Sequence, residues 1–327
     1  MLLNFVPQLK NKKDMQVILG ANGQIGEELA RELKRNFTSD IRIVSKNAQK
    51  VNDTDEIFSA DLTIKEKAIE SVKGAEIAFF TLGLPISSDL WEDLFPKILQ
   101  NVIDACKIHG TKLVFFDNTY MYPQDDRPHT ENTAFEPLGR KARVRRQMAE
   151  MVLKEMQSGG LTAVICRAPE FYGPGKTQSI TNTLIFNNIK DGVKLKVPIS
   201  ANKKRSLIWT PDASRATALI GNTADTYGQT WHLPVDKSHP TYKEFIGLAS
   251  KVYGRDLKFS VVPKFVFQIG AWFNPKVKEL LELLPRYAYD NLFDDTKFRK
   301  RFPDFQVTSY KQGLEQIKYE QSSKKIN

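Results

Sequence analysis

Five short apolar runs mark the first half of the chain, at residues 17–19, 41–44, 77–80, 113–116 and 163–166. Each is nearly unbroken by polar residues, the pattern of strands covered on both faces. Between them apolar residues return at helical spacing. Ile25, Leu29 and Leu33 do so in one segment, and Val144, Met148 and Val152 in another, with Met151 beside them. Strands alternating with helices predict a parallel sheet with right-handed crossovers, the doubly wound α/β class.

The second half loses this regularity. Residues 173–178 form a loop rich in Gly and Pro, and Thr210-Pro211-Asp212, read as an N-cap, a first-turn proline and an early acid, predicts a helix start. Residues 265–284 read as largely helical, interrupted near Asn274-Pro275. The expected division is an N-terminal extension (1–14), a sheet domain (15–168 plus 206–233) and a smaller mixed lobe (169–205 plus 234–327).

Composition limits the partners. The 327 residues include 48 Lys and Arg against 38 Asp and Glu, a formal charge of +10. With 41% hydrophobic and 26% charged residues, the chain is globular and neither disordered nor fibrous. No apolar stretch reaches the roughly 18 residues of a membrane span. The run 266–273 is short and carries Gln268, so no membrane contact is expected. Residues 1–5 lack the order of a secretion signal and run into Lys10, Lys12 and Lys13. Cys106 and Cys166 make no disulfide framework and read as small buried hydrophobes, so the expected location is cytoplasmic. The basic residues fall in knots at 12–13, 140–146, 203–205 and 299–301. They read first as solvated surface and second as a groove for a phosphorylated ligand. No zinc-finger or aromatic–basic RNA spacing accompanies them, so no nucleic-acid partner is expected. The four dispersed histidines predict no metal.

The most informative segment is Gly20-Ala21-Asn22-Gly23-Gln24-Ile25-Gly26. It follows the first strand at once and opens a helix expected over 24–35. Glycines at its first, fourth and seventh places permit a tight turn, close approach of a pyrophosphate and packing of helix on strand. The helix start then offers backbone N–H groups and partial positive charge to phosphates. The sheet is therefore of the Rossmann, dinucleotide-binding type.

This spacing resembles the short-chain dehydrogenase/reductase superfamily, in its extended or atypical branch of NAD-dependent epimerase/dehydratase-like proteins. The resemblance covers most of residues 15–235. It implies that Asp61 and Leu62 lie at the cofactor adenine and that Thr81, Leu82 and Gly83 pass its ribose. Arg167-x-x-Glu170-Phe171-Tyr172-Gly173-Pro174 is similar to a segment of the branch after its sixth strand. By that similarity Pro169 belongs with the cofactor, and Glu170 and Tyr172 with a substrate. Arg205, seven places before Asp212, matches an arginine–aspartate pair near the substrate in this branch. Two of these residues carry a second reading: Asp61 as an N-cap-like residue before a helix near Ile64, and Arg205 as half of an ordinary salt bridge.

The superfamily's Tyr-x-x-x-Lys pair has no counterpart. Aligned on Pro137-x-Gly139, Leu138 stands in place of tyrosine and Ala142 in place of lysine, and Asn118 occupies the usual serine position. Lys141 points about 100° away from the lysine position around a helix and is no simple replacement. The stripe 140–146 reads as solvent- or phosphate-facing, opposite Val144. The best remaining proton donor is Tyr120, its phenol lowered in pKa by Lys141 or Arg143, with Asn118 or Thr119 orienting a substrate oxygen. Its plainer reading is a ring packed under the loop 123–128. The second strand ends in Ser45 and Lys46 without an acid, which favours NADP(H) over NAD(H).

Three functions stay open. They are an NAD(P)-dependent oxidoreductase for a small carbonyl or hydroxyl compound, a nucleotide-sugar epimerase or dehydratase, and an NADP(H)-binding sensor or regulator without turnover. A small-molecule substrate, anionic if Arg205 binds it, is common to the first two. Substrate identity and oligomeric state are not legible.

Overall fold

A computed structural model describes residues 14–323. The expected extension 1–14, apart from Asp14, and the knot Lys12-Lys13 lie outside the described residues. The first half runs β1 (Gln16–Leu19), α1 (Gly26–Asn36), β2 (Ile41–Ser45), β3 (Glu56–Ser59), α2 (Lys65–Val72), β4 (Ile77–Phe80), α3 (Ser88–His109), β5 (Lys112–Asp117), α4 (Arg140–Gln157) and β6 (Ala163–Arg167). The second half continues β7 (Glu170–Tyr172), α5 (Asn187–Asp191), β8 (Leu195–Pro198), β9 (Leu207–Trp209), α6 (Thr210–Gly221), β10 (Thr230–His232), α7 (Tyr242–Tyr253), β11 (Phe259–Val262), α8 (Lys264–Phe273), α9 (Pro275–Leu280), α10 (Thr296–Arg301) and α11 (Tyr310–Ser323).

Seven strands form one parallel sheet in the order β10-β6-β5-β4-β1-β2-β3. Side chains alternate across it. Val17 and Leu19 of β1 pack with α2, α3 and α4, whereas Ile18 packs with α1 and α6. Both faces are thus covered, as the unbroken apolar runs require. Val144, Met148 and Val152 are buried in the first of these layers and Ile25, Leu29 and Leu33 in the second. The chain leaves β1 in one direction to β2 and β3, then returns to β4 and proceeds the other way. The sheet therefore reverses between β1 and β4, where doubly wound sheets open a crevice.

Local chemistry sets the helix ends. Ser87 caps α3 by accepting from Leu90 N, and Gly110 closes it in the left-handed region. A Thr241–Glu244 capping box opens α7. A third core of Phe186, Leu195, Val197, Phe245, Ile246, Tyr310 and Leu314 holds the second lobe.

Several expectations shift. β3 was invisible to the apolar pattern because, as the edge strand, it exposes most of its residues. Helix α1 begins at Gly26, two residues later than expected, since residues 20–25 are taken up by the turn. Thr210 is the first residue of α6 and not its cap: its hydroxyl meets Thr177. Within 206–233, β10 joins the large sheet while β9 pairs with β7 outside it. Most of the basic knots resolve into ion pairs, Lys203 with Asp126, Arg299 with Asp295 and Arg301 with Asp225. The stripe 140–146 is not wholly surface, because Lys141 and Arg145 are buried. No helix among the described residues is long and apolar enough to cross a membrane.

Candidate active site

The glycine turn is built against the end of β4. Gly20 has φ +93, and a Cβ there would lie 2.5 Å from Leu82 Cα. A Cβ on Gly26 would lie 2.5 Å from Ala21 Cα, so the third glycine lets α1 close on the turn. A Cβ on Gly23 would meet only Gly20 O, at 3.2 Å, leaving that position facing open space. The N–H groups of Gly20 and Ala21 donate to Val44 O, and Gly23 N donates to Gly20 O. Those of Asn22, Gln24 and Ile25 make no hydrogen bond among the described residues. Three amides left free at the start of a helix suit an anionic pyrophosphate.

Polar side chains rim this turn. Asn22 Oδ1 accepts from Ser45 Oγ and Gln49 N, so Ser45 and Asn22 hold each other. Lys46 pairs with Asp61 at 2.9 Å while remaining largely exposed. Asp61 also accepts from the backbone and hydroxyl of Thr63, the N-cap-like reading in part. The Lys46 hydrogen bond, helped by Thr63, draws its carboxyl pKa down to about 2. Leu62 is buried, and its carbonyl accepts from Asn101. Thr81 is tied to Leu19 O through both its N–H and its hydroxyl. Across the mouth, Gln178 N donates to Gln24 Oε1 and Lys176 pairs with Glu27.

Beyond the ends of β5 and β6 lies a crevice of about 550 Å³. Asn118, Thr119, Tyr120, Pro169, Glu170 and Arg286 are among the residues that line it. The structure therefore brings together the expected catalytic trio with Pro169 and Glu170. Asn118 Oδ1 accepts from Tyr120 N at 3.0 Å and so fixes the turn. Tyr120 stacks on Trp91, and the Arg286 guanidinium lies 4.3 Å from its ring centre.

Four expectations about this crevice need correction. The cation at Tyr120 is Arg286. Lys141 is buried against Glu279, Glu282 and Ser88, and Arg143 is exposed. The phenol is not lowered: burial raises its pKa, and Arg286 only partly opposes this. Arg205 is no free clamp, since it pairs with Glu170, donates to the carbonyls of Arg286 and Tyr289, and is buried over Tyr287. Asp212 lies apart from it, bound to Arg215 and Thr308. Tyr172 belongs to the core, packed against Trp209, Phe245 and Tyr310, and cannot meet a ligand.

Sequence reasoning missed Arg286. Its guanidinium makes no hydrogen bond or ion pair among the described residues, and its Nε is buried without a partner. It also borders a smaller cleft with Thr119, Gln124 and His129. The only local signal was an arginine with no acid within three places on either side, just beyond the segment 265–284 read as helix.

Beneath the crevice runs a buried polar chain. Asp117, at the end of β5, accepts from Arg145 Nη2 at 2.5 Å and from Arg167 Nε at 3.1 Å. Arg167 donates to Tyr122 Oη, which meets His232 Nε2 at 2.7 Å. Burial and the nearby Arg167 push the His232 pKa well down, so the ring is neutral. Its Nδ1 donates to Asp294 O. Cys106 and Cys166 are fully buried, and burial raises both thiols, to about 12 for Cys106. Among the described residues, no cluster of three or more His, Cys, Asp or Glu is arranged to hold a metal ion.

A reversing parallel sheet with a glycine turn at its switch point defines a dinucleotide-binding α/β protein. More narrowly, the chain belongs to the NAD dependent epimerase/dehydratase family, whose model matches residues 16–232. No curated protein matches it in sequence. Its fold is similar to that of UDP-glucuronic acid 4-epimerase from Bacillus cereus, solved in complex with NAD. That pair is 14% identical with TM-score 0.76, over 94% of this chain and 99% of the other. It is also similar to dTDP-glucose 4,6-dehydratase from Streptomyces venezuelae, with 16% identity, TM-score 0.75, and 95% and 99% covered. UDP-N-acetylglucosamine 4-epimerase from Methanobrevibacter ruminantium M1 gives 15% identity, TM-score 0.76, and 96% and 100% covered.

Proposed function

We propose that the chain is a nicotinamide-dependent enzyme of the epimerase or dehydratase type. Its substrate would be an anionic hydroxy compound such as a nucleotide sugar. The observation that carries this is Arg286, whose guanidinium lies over the Tyr120 ring but makes no hydrogen bond or ion pair among the described residues, in the same crevice as Thr119 and Tyr120. An unpaired buried donor is costly unless something accepts from it, and a phosphate or carboxylate does so best. A bound nicotinamide would give or take a hydride at the substrate carbon. The free amides of residues 22, 24 and 25 would hold its pyrophosphate, with Thr81, Leu82, Gly83 and Pro169 along its length. Tyr120, kept protonated by burial, would serve as a proton donor at its Oη while Thr119 orients the substrate oxygen. With Tyr120 resting protonated, its first proton transfer would be a donation to a carbonyl oxygen. That is the specific ground for the second reading, an oxidoreductase on a smaller carbonyl. A sensor without turnover gains nothing from this crevice.

The test is a panel of nucleotide sugars and simple carbonyls with either reduced cofactor, read by absorbance and by product sugar analysis. Arg286→Ala should raise KM for a phosphorylated substrate about 10- to 150-fold, the worth of one charge-assisted hydrogen bond of about 1.5–3 kcal/mol. It should leave a neutral carbonyl unaffected. Equal KM for parent and variant on every anionic substrate would remove Arg286 from the site.

The cofactor proposed is NADP(H). Lys46 is exposed at the end of β2, with no acid beside it on that strand to accept from a ribose 2′-hydroxyl. Its pairing with Asp61 means that a 2′-phosphate would share the ammonium with a carboxylate, so the preference should be modest. Lys46→Ala should weaken NADPH binding about tenfold and leave NADH unchanged in titration calorimetry. If the parent binds NADH as tightly as NADPH, the assignment is wrong.

A further inference from the structure

Helix α8 presents its apolar side to solvent. Phe265, Val266, Ile269, Trp272 and Phe273 fall within an arc of about 120° at roughly 100° per residue. All five are exposed, Trp272 at 83% and Phe273 at 82%. The opposite arc holds Phe267, Gly270 and Ala271, which are half-buried, and the main packing partner is α9. The helix buries no residue fully and has neither a side-chain cap nor an acid in its first turn. Ten residues are too few to be a stable helix in water on their own propensity. An outside surface that takes up the stripe would supply the missing support.

The charge around the stripe selects that surface. Residues 257–278 contain four lysines and no carboxylate. Lys264, Lys276 and Lys278 are exposed and make no ion pair among the described residues. Lys196 stands in register with Ser260 on the strand pair that leads into α8, and it too is exposed and unpaired. A second copy docked on the same face would bring these lysines against their own equivalents. We infer that α8 is a docking surface for an anionic lipid bilayer, with the helix lying in the interface plane. Trp272 and Phe273 enter the headgroup boundary, and the lysines meet the anionic headgroups. Such a helix lies on a membrane without crossing it, which departs from the expectation of no membrane contact.

The test exploits the four tryptophans. Trp91, Trp209 and Trp231 are buried, so a change of emission on adding vesicles reports Trp272. Phosphatidylcholine vesicles containing phosphatidylglycerol should shift the emission of the full chain to the blue and carry the protein down on sedimentation. Pure phosphatidylcholine should do neither, and about 0.5 M salt should weaken the effect. Trp272→Ser with Phe273→Ser should cut sedimentation at least about tenfold and leave the melting temperature unchanged, since both side chains face solvent. Any of the following outcomes would overturn the inference. One is no binding to anionic vesicles, or equal binding by the double variant. Another is a blue shift that appears with protein concentration alone, which would assign the stripe to a second copy. The last is protection of Trp272 from acrylamide in dilute lipid-free protein, which would mean the chain covers it with a segment of its own.

Discussion

Asp117→Ala should lower the stability of the fold by about 3–5 kcal/mol, measured by urea unfolding. The size follows from what the substitution leaves behind. The Asp117 carboxylate is fully buried, and its two partners, Arg145 and Arg167, are 6% and 1% exposed. Removing the one acid strands two guanidinium groups in the interior, and uncompensated buried charge is among the costliest defects a fold can carry. The rings of Phe95 and Phe115 beside Arg145, and of Phe135 beside Arg167, offer cation–π contact but no hydrogen-bond acceptor, and Tyr122 Oη, which already accepts from Arg167, carries no charge to replace the carboxylate. Asp117→Asn keeps an acceptor in place and should cost less than the alanine. A loss below about 1 kcal/mol for Asp117→Ala would mean that water or a rearranged partner replaces the carboxylate. Because Asp117 immediately precedes Asn118, the same substitution should loosen the crevice floor and lower cofactor affinity.

This chain shows what kinds of information a sequence holds locally. The sheet was legible because a strand buried on both faces must be apolar throughout, and five of the seven strands of the large sheet met that condition. β3 and β10 did not: one is an exposed edge, and the other is only three residues long. The glycine turn was legible because its constraint lies within seven residues and follows from backbone sterics alone. Arg205 and Lys141 were harder. Each is a cation whose partner is far away in sequence, Glu170 for one and Glu279 for the other. No spacing rule connects residues 141 and 279, so a buried ion pair and a free ligand-binding group look alike until the chain is folded. Arg286 is the converse case. It faces the crevice unpaired because Arg205 Nη1 holds the carbonyls of Arg286 and Tyr289, fixing the backbone on both sides of its neighbours. Arg205 thus orients the segment that carries a cation into the site while contributing none of its own charge to it.

The strongest effect on ligand binding should come from Gly20. A valine there needs φ near +93, a region that β-branched residues avoid at a cost of about 1–3 kcal/mol. Its Cβ would fall 2.5 Å from Leu82 Cα and 2.8 Å from Leu82 N, and neither backbone atom can move aside like a flexible side chain. The turn must therefore open or the end of β4 must retreat, and either change displaces the three free amides from one another. Nicotinamide dinucleotide affinity should fall at least about 100-fold in Gly20→Val, a loss of about 2.7 kcal/mol. Lost stability alone could produce the same reading, so Gly23→Ala separates the two. Its Cβ would touch only Gly20 O at 3.2 Å, and its φ is not in the left-handed region, so melting should change little. The added methyl would nevertheless stand where a pyrophosphate must approach the backbone, and binding should weaken about tenfold or more. Gly83→Ala, whose Cβ would meet nothing within 4 Å, serves as the neutral comparison for folding. If Gly23→Ala binds NADPH as tightly as the parent, the phosphates do not lie on this turn. The free amides would then need another anion to account for them.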